Sequence, residues 1–228
     1  MKRIYSLTVL LLVAFIVHAQ GPDGSVPQGE NLEIPTGWTV RFDQTAKPFT
    51  LSNTPDSGDV YFVNMTPGWH ITTGPAGIFY HEKNVAENEY MLSATLYLFD
   101  TKGRNREAFG LFLGGKNLEK ESQSYLYFLV RNTGEYLIKV REGENTRVIQ
   151  PWTKTEHMNL FEGDDPEQAA ENTVQAERRD NELHFYINNQ LLTTIPAGDY
   201  DTDGYYGFRV NHSLNLHCSI LSMQPVES

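Results

Sequence analysis

Short segments in which apolar and polar residues alternate follow one another from Trp38 almost to the end of the chain. They are rich in Val, Ile, Tyr, Phe and Thr, and turn residues separate them, which is the pattern of β-strands. More than ten such segments with no crossover helix predict an all-β, antiparallel sandwich. The predicted strands are Trp38–Phe42, Asp59–Asn64, Gly77–His81, Tyr90–Asp100, Ala108–Gly114, Tyr125–Arg131, Tyr136–Arg141, Val148–Trp152, Thr173–Arg179, Leu183–Ile187, Leu191–Ile195 and Tyr206–Met223.

The N terminus has the three parts of a secretory signal peptide. Lys2 and Arg3 precede an apolar stretch over Leu7–Val17, and Val17-His18-Ala19 has the small-x-small pattern of a cleavage site. The apolar stretch is shorter than the ~20 residues that a membrane-spanning helix needs. We therefore predict a cleaved signal peptide at residues 1–19, a secreted or periplasmic protein, and no membrane anchor.

Two further segments follow the predicted signal peptide. Residues 20–37 contain Pro22, Pro27 and Pro35 among Gly and polar residues, which indicates a linker or an N-terminal arm. Residues 38–228 then form the predicted β-sandwich domain, which is long enough to bury a core without disulfides.

The charge of the chain argues against nucleic acid as a partner. The sequence has 18 Lys and Arg against 29 Asp and Glu, a formal net charge of -11. Loss of Lys2 and Arg3 with the signal peptide changes this to 16 against 29, or -13. Such a surface repels phosphate backbones and anionic membranes. The remaining candidate ligands are neutral molecules, cations and sugars.

Cys218 is the single cysteine, so no disulfide forms within the chain. It stands in phase with Leu214, Leu216 and Ile220 in the predicted last strand, while polar residues occupy the other phase. A strand of this kind covers a core with one face and shows the other to solvent or ligand. We predict a buried Cys218 that acts as a small apolar residue.

The C-terminal third resembles a known superfamily. NTVQAERRDNELHFYINNQLLTTIP (172–196), followed by DGYYGFRV (203–210), is similar to the end of concanavalin A-like lectin and glucanase domains, which include laminin-G-like modules and bacterial 3-keto-disaccharide hydrolases. DVYFVNMTPGWHITTGPAGIFYH (59–81) resembles secreted bacterial proteins of the same superfamily. The resemblance extends from Asp59 to Met223. It implies a bacterial source and a jelly roll of two curved sheets whose concave face or rim loops commonly bind sugars.

Aromatic and polar side chains suited to sugars occur at four places in the predicted strands and turns. A sugar is held by flat aromatic faces and by a few fixed donors and acceptors for its hydroxyls. The candidates are Trp69 and His70 after a Pro-Gly turn, Tyr80 and His81 at a strand end, Tyr125, Tyr127 and Arg131 on one strand face, and Arg209 and Asn211 on another. The alternative is that many of these residues belong to the core or to ordinary surface.

Alternating aspartates suggest a calcium loop. Asp199, Asp201 and Asp203 precede Gly204, and carboxylates before a sharp turn are typical ligands of Ca²⁺. An EF-hand is excluded because Val210 stands where that loop needs a bidentate Glu. The alternative is an acidic turn without a metal.

A hydrolase needs a pair of carboxyl groups, one of them protonated. The laminarinase-type members of the superfamily carry Glu-x-Asp-x-Glu on one strand, and the nearest match is Glu87 and Glu89, without the middle Asp or the third Glu. The alternative is that Glu87 and Glu89 are ordinary solvated carboxylates at a strand end. No residue of this sequence can be matched to a catalytic position of the keto-disaccharide hydrolases. The sequence favours a secreted, lectin-like carbohydrate-binding domain. A hydrolase of glycosides or keto-disaccharides and an adhesion module that binds a protein stay open, as does the oligomeric state.

Overall fold

A computed structural model describes residues 25–29, 31–44, 48–55, 57–163 and 168–226. The predicted signal peptide, residues 1–19, lies outside the described residues. The same holds for residues 20–24 and 30 of the predicted arm. Within the described part of the chain, no helix is long and apolar enough to cross a membrane.

The chain folds into two β-sheets. One sheet has seven strands, in the order β1 (Trp38–Phe42), β5 (Gly77–Ala86), β14 (Gly204–Val210), β7 (Ala108–Lys116), β8 (Ser124–Arg131), β9 (Glu135–Glu142) and β10 (Asn145–Lys154). The other has eight, in the order β13 (Gln190–Pro196), β12 (Glu182–Ile187), β11 (Ala170–Arg179), β6 (Tyr90–Leu98), β15 (Asn215–Pro225), β4 (Trp69–Thr73), β3 (Val60–Asn64) and β2 (Leu51–Ser52).

The pairing of the strands confirms the predicted antiparallel sandwich. Antiparallel registers join the strands of both sheets, and the short pair of β2 and β3 is parallel. A hairpin at Asn188 and Asn189 joins β12 to β13, and both asparagines have a positive φ, as a tight two-residue turn requires. Strands that are distant in the chain lie side by side in the sheets, as β5 and β14 do. This strand order is that of a jelly roll.

The core lies between the two sheets. Because side chains alternate along a strand, every second residue points inward. Aromatic rings bridge the sheets: the Phe128 and Phe185 centroids are 5.2 Å apart, and those of Phe62 and Phe79 are also 5.2 Å apart. Cys218 is fully buried within this core, as predicted, and burial raises the pKa of its thiol.

The predicted last strand, Tyr206–Met223, is wrong in one respect. It consists of β14 and β15, which belong to different sheets and are separated by a turn at which Ser213 has φ of 53°. The alternation continues through the turn, so the sequence pattern does not reveal the change of sheet. A β-bulge between Cys218 and Ile220 then reverses the phase, and Ile220 is 52% exposed instead of buried.

The described part of the N-terminal segment lies along the eight-stranded sheet. The Tyr61 hydroxyl donates to the Pro27 carbonyl oxygen at 2.9 Å, and the Asn215 side-chain amide donates to the Ser25 carbonyl oxygen at 3.1 Å. The Asn64 amide donates to the Glu33 carbonyl oxygen at 2.8 Å. The N-terminal segment therefore covers part of the outer face of the eight-stranded sheet. The outer face of the seven-stranded sheet has a groove.

Candidate functional site

A groove of about 480 Å³ lies on the outer face of the seven-stranded sheet. Strands β8, β9 and β14 supply its floor because the alternate residues that do not enter the core point into it. Register places Tyr127 opposite Lys139 and Tyr125 opposite Arg141. The residues that line the groove are Asp43, Arg106, Glu107, Tyr127, Leu129, Arg131, Leu137, Lys139, Arg141, Thr146, Trp152, Arg209, Asn211 and His212.

An ion pair stands at the base of the groove. The two terminal nitrogens of Arg209 donate to the two carboxylate oxygens of Asp43 at 2.7 and 2.6 Å, and Arg141 lies 3.4 Å from the same carboxylate. Arg209 is only 6% exposed. Burial by itself raises the pKa of Asp43, but the hydrogen bond from Arg209 and the charges of both arginines outweigh it and hold that pKa below its ordinary value. Asp43 is therefore ionised at neutral pH.

Two tyrosines lie beside this ion pair. The Arg209 guanidinium carbon is 5.8 Å from the centroid of the Tyr127 ring, and the Tyr125 and Tyr127 centroids are 5.6 Å apart. Both rings are buried, and only Tyr127 lines the groove. Burial raises the pKa of Tyr127 to about 12, with Arg209 opposing the shift, so its hydroxyl stays protonated at neutral pH.

Trp152 is the half-buried aromatic residue of the groove. The Arg131 guanidinium stacks on its ring at 4.0 Å from the centroid. Glu135 holds Arg131 in place, with Arg131 Nε donating to Oε2 at 2.9 Å. Trp152 lies in a predicted strand but was not a predicted site residue. Two irregularities of register between Val148 and Thr153 interrupt the alternation of β10, so period two in the sequence does not indicate which face Trp152 occupies.

Three polar atoms of the groove are buried and accept or donate no hydrogen bond among the described residues. They are Arg141 Nε, Arg209 Nε and Asn211 Oδ1. A buried polar atom without a partner costs about 1–3 kcal/mol. The described residues therefore leave part of the hydrogen-bonding capacity of the side chains that line the groove unused.

Of the nine predicted ligand residues, Tyr127, Arg131, Arg209 and Asn211 line the groove, and Tyr125 packs beside it. Tyr80 is on the same outer face but in a neighbouring cavity of about 490 Å³. Its ring centroid is 5.6 Å from that of Tyr205. The structure therefore brings two of the predicted strand faces together in one groove.

The other three predicted ligand residues lie elsewhere. The Trp69 ring packs between the sheets, 4.7 Å from Trp38. The buried His70 ring contacts Tyr61 of the same eight-stranded sheet and Phe99, which directly follows β6. His81 lies beside Trp38, and its Nδ1 accepts a hydrogen bond from the Lys83 amide. Neighbouring residues on a strand point to opposite faces, so neither Trp69 and His70 nor Tyr80 and His81 can act as a pair.

The three aspartates of the predicted calcium loop do not converge. Asp201 pairs with Lys116, and Asp203 accepts from Arg178 at 2.5 Å and from the Asn88 amide at 2.9 Å. Asp199 ends a short 3-10 turn. Among the described residues, no three His, Cys, Asp or Glu side chains form a group able to hold a metal ion. Two of the three carboxylates have the chain's own cations as partners.

The predicted acid pair also lies outside the groove. Glu87 and Glu89 stand in the turn between β5 and β6, where Glu89 accepts a hydrogen bond from the Asp180 amide at 2.9 Å. The carboxylates that line the groove are Asp43 and Glu107. Asp43 is bound to Arg209, which removes it as a proton donor.

Solved structures similar to this chain share its two-sheet architecture. The carbohydrate-binding module CBM66 from Bacillus subtilis has a TM-score of 0.58 and 12% identity over 87% of this chain and 99% of its own. A Bacteroides ovatus GH16 protein, in complex with a G4G4G3G product, has 0.54 and 10% over 85% and 97%. The chain has a concanavalin A-like fold. The exoplasmic domain of VIP36, bound to Ca²⁺ and mannose, has a TM-score of 0.53 and 9% identity over 84% of each chain.

At identities of 12% or less, this likeness shows the concanavalin A-like fold alone. No family model matches the chain, and no curated protein matches it. The function must therefore be argued from the groove.

Proposed function

We propose that this chain is a lectin-like carbohydrate-binding domain and that the groove on its seven-stranded sheet is the ligand site. The groove combines a half-buried indole with a fixed cluster of polar groups, which is the combination that sugars need. The observation that carries the proposal is that the half-buried Trp152 lines the same groove as Arg141, Arg209 and Asn211, each of which has a buried side-chain atom without a partner among the described residues. The concanavalin A-like proteins with similar structures include a carbohydrate-binding module and a mannose-bound lectin domain, which supports the same class.

We favour binding over hydrolysis because of the groove's carboxylates. A retaining hydrolase needs a carboxyl group kept protonated next to a second, ionised one. Asp43 is held ionised by Arg209 and Arg141, and Glu107 Oε2 accepts a hydrogen bond from the His212 amide. Glu87 and Glu89 stand in a turn away from the groove. We propose further that the domain acts after export, which rests on the predicted signal peptide.

The test is binding to a panel of immobilised neutral and acidic polysaccharides. We expect the wild-type protein to bind at least one of them and Trp152→Ala to weaken that binding by about tenfold or more, since aromatic residues at the centre of a site dominate its binding free energy. Trp152→Tyr keeps an aromatic face and should retain most of the affinity. Thermal unfolding of each variant separates lost binding from lost fold.

Two results would contradict the proposed function. One is a wild-type protein that binds none of the polysaccharides. The other is a folded Trp152→Ala variant with wild-type affinity, which would place the sugar site elsewhere. The neighbouring cavity at Tyr80 and Tyr205 would then be the next surface to test.

A further inference from the structure

The charge of the groove is opposite to that of the chain. The whole chain has a formal charge of -11. Two carboxylates, Asp43 and Glu107, line the groove. Five cationic side chains line it with them: Arg106, Arg131, Lys139, Arg141 and Arg209. A cleft lined mainly by one sign of charge concentrates ions of the opposite sign.

The chain's own carboxylates neutralise some of these cations. Arg209 and Arg141 share Asp43, and Arg131 pairs with Glu135 at 2.7 Å. Arg106 is exposed and Lys139 is half-buried, and neither makes an ion pair with another described residue. Within the described part of the chain, these two positive charges of the groove have no carboxylate partner.

The groove has a volume of about 480 Å³, which leaves room for a ligand beside these cations. In the register of the sheet, Gly110 stands between Arg209 on β14 and Leu129 on β8. An added Cβ at Gly110 would collide with the backbone carbonyl oxygen of Phe128, so this position of the sheet admits no side chain. The buried Nε atoms of Arg141 and Arg209 are donors without a partner among the described residues.

We infer that the groove selects sugars that carry an anionic group, a carboxylate or a sulfate, and that Arg106 and Lys139 are the residues that recognise this group. This inference rests on the proposed function. Charge-assisted hydrogen bonds to carboxylate or sulfate oxygens are shorter and stronger than those to a neutral hydroxyl. Trp152 supplies the face for the sugar ring, and Lys139 lies opposite Tyr127 in the register of β8 and β9.

The acidic surface of the rest of the chain does not prevent this selectivity. At physiological ionic strength, exposed charges are screened beyond about 8 Å, so the cations that line a cleft act on its ligand more strongly than distant carboxylates. Net charge excludes polyanions that need a broad basic surface, such as nucleic acid. A single anionic sugar unit within the groove meets only the local charges.

The test compares matched pairs of polysaccharides by affinity electrophoresis and calorimetry. Polygalacturonate is compared with its fully methyl-esterified form, and dextran sulfate with dextran. We expect the anionic member of at least one pair to bind about tenfold more tightly than the neutral member, with a preference that shrinks as salt rises. The two pairs distinguish a carboxylate from a sulfate as the recognised group.

Variants assign the preference to Arg106 and Lys139. The double substitution Arg106→Gln and Lys139→Gln should abolish most of the preference for the anionic member, while Lys139→Arg keeps it. Lys83→Gln removes one positive charge from the exposed part of β5, outside the groove, and should leave the preference unchanged. Thermal unfolding shows that each variant is folded.

The possible outcomes separate this inference from the proposed function. Equal affinity for the charged and neutral members overturns the inference and leaves carbohydrate binding intact, whereas binding to none of the four polysaccharides overturns both. An oligothymidylate that binds as tightly as the anionic polysaccharide also overturns the inference, because it indicates attraction to any polyanion. Loss of the preference in Lys83→Gln overturns the assignment to the groove.

Discussion

Asp43→Asn is expected to lower the free energy of unfolding by about 3–5 kcal/mol, because it leaves the buried Arg209 guanidinium without its counter-ion. Arg209 is 6% exposed, and its two side-chain hydrogen bonds to described residues are both to Asp43. Arg141 adds a second positive charge near the same carboxylate, so removal of Asp43 also leaves two cations facing each other. Urea unfolding followed by fluorescence measures the loss.

A double substitution provides the control for this prediction. Asp43→Leu combined with Arg209→Met removes both charges, and replacing a buried ion pair by apolar residues is often close to neutral for stability. We expect the double variant to have a higher free energy of unfolding than either Asp43→Leu or Arg209→Met alone. A double variant that loses as much as the sum of the two single losses would show that the pair does not stabilise the fold through its charges.

The same carboxylate makes stability depend on acid pH. The pKa of Asp43 in the folded protein lies below its ordinary value of 3.8. The contribution of Asp43 is therefore present in full above about pH 4 and is lost as the pH falls through the lower, folded pKa. The free energy of unfolding measured from pH 6 to pH 2 should fall less steeply in Asp43→Asn than in the wild-type protein. Parallel curves would contradict the lowered pKa.

Trp69→Ala is expected to lower the free energy of unfolding by about 3 kcal/mol or more, while the affinity of the folded protein for its glycan stays unchanged. The Trp69 ring packs between the sheets, 4.7 Å from Trp38 and 5.8 Å from Phe208, so its removal leaves a cavity in the core. Thermal and urea unfolding measure the loss. Trp152→Ala should show the reverse, a large loss of binding with a small loss of stability.

Trp69→Phe is the matched control because it keeps an aromatic ring in the same space. It should recover most of the stability that Trp69→Ala loses. A Trp69→Ala variant that unfolds like the wild-type protein but no longer binds polysaccharide would place Trp69 in the sugar site, as the sequence suggested. Such a result would also remove the groove as the single ligand surface.

The strands of this protein could be predicted because their signal is local. Alternation with period two places Tyr125, Tyr127 and Arg131 on one face of β8 whatever the rest of the chain does. The turn at Gly134, with φ of 71°, also depends only on nearby residues. The prediction of the last strand was wrong where the alternation of apolar and polar residues does not follow the backbone. These places are the turn between β14 and β15, where the chain changes sheet, and the bulge after Cys218.

The partners within the groove could not be predicted, because they are distant in the chain. Asp43 and Arg209 are 166 positions apart, and Trp152 comes from the edge strand β10. The sequence showed aromatic and basic side chains on single strand faces but contained no signal for which faces meet. Trp69 and His81 illustrate the same limit, since a residue beside a turn can point either into the core or into solvent.

The sequence by itself determined the all-β sandwich, the faces of its single strands and the acidic net charge, because each depends on composition or on neighbours in the chain. Only the tertiary structure decided which sheet carries the groove and where the few cations go. Net charge is a sum over all positions, whereas a ligand meets the charges within a few ångströms. Folding places Arg106, Lys139, Arg141 and Arg209 around one groove of a chain whose total charge is -11.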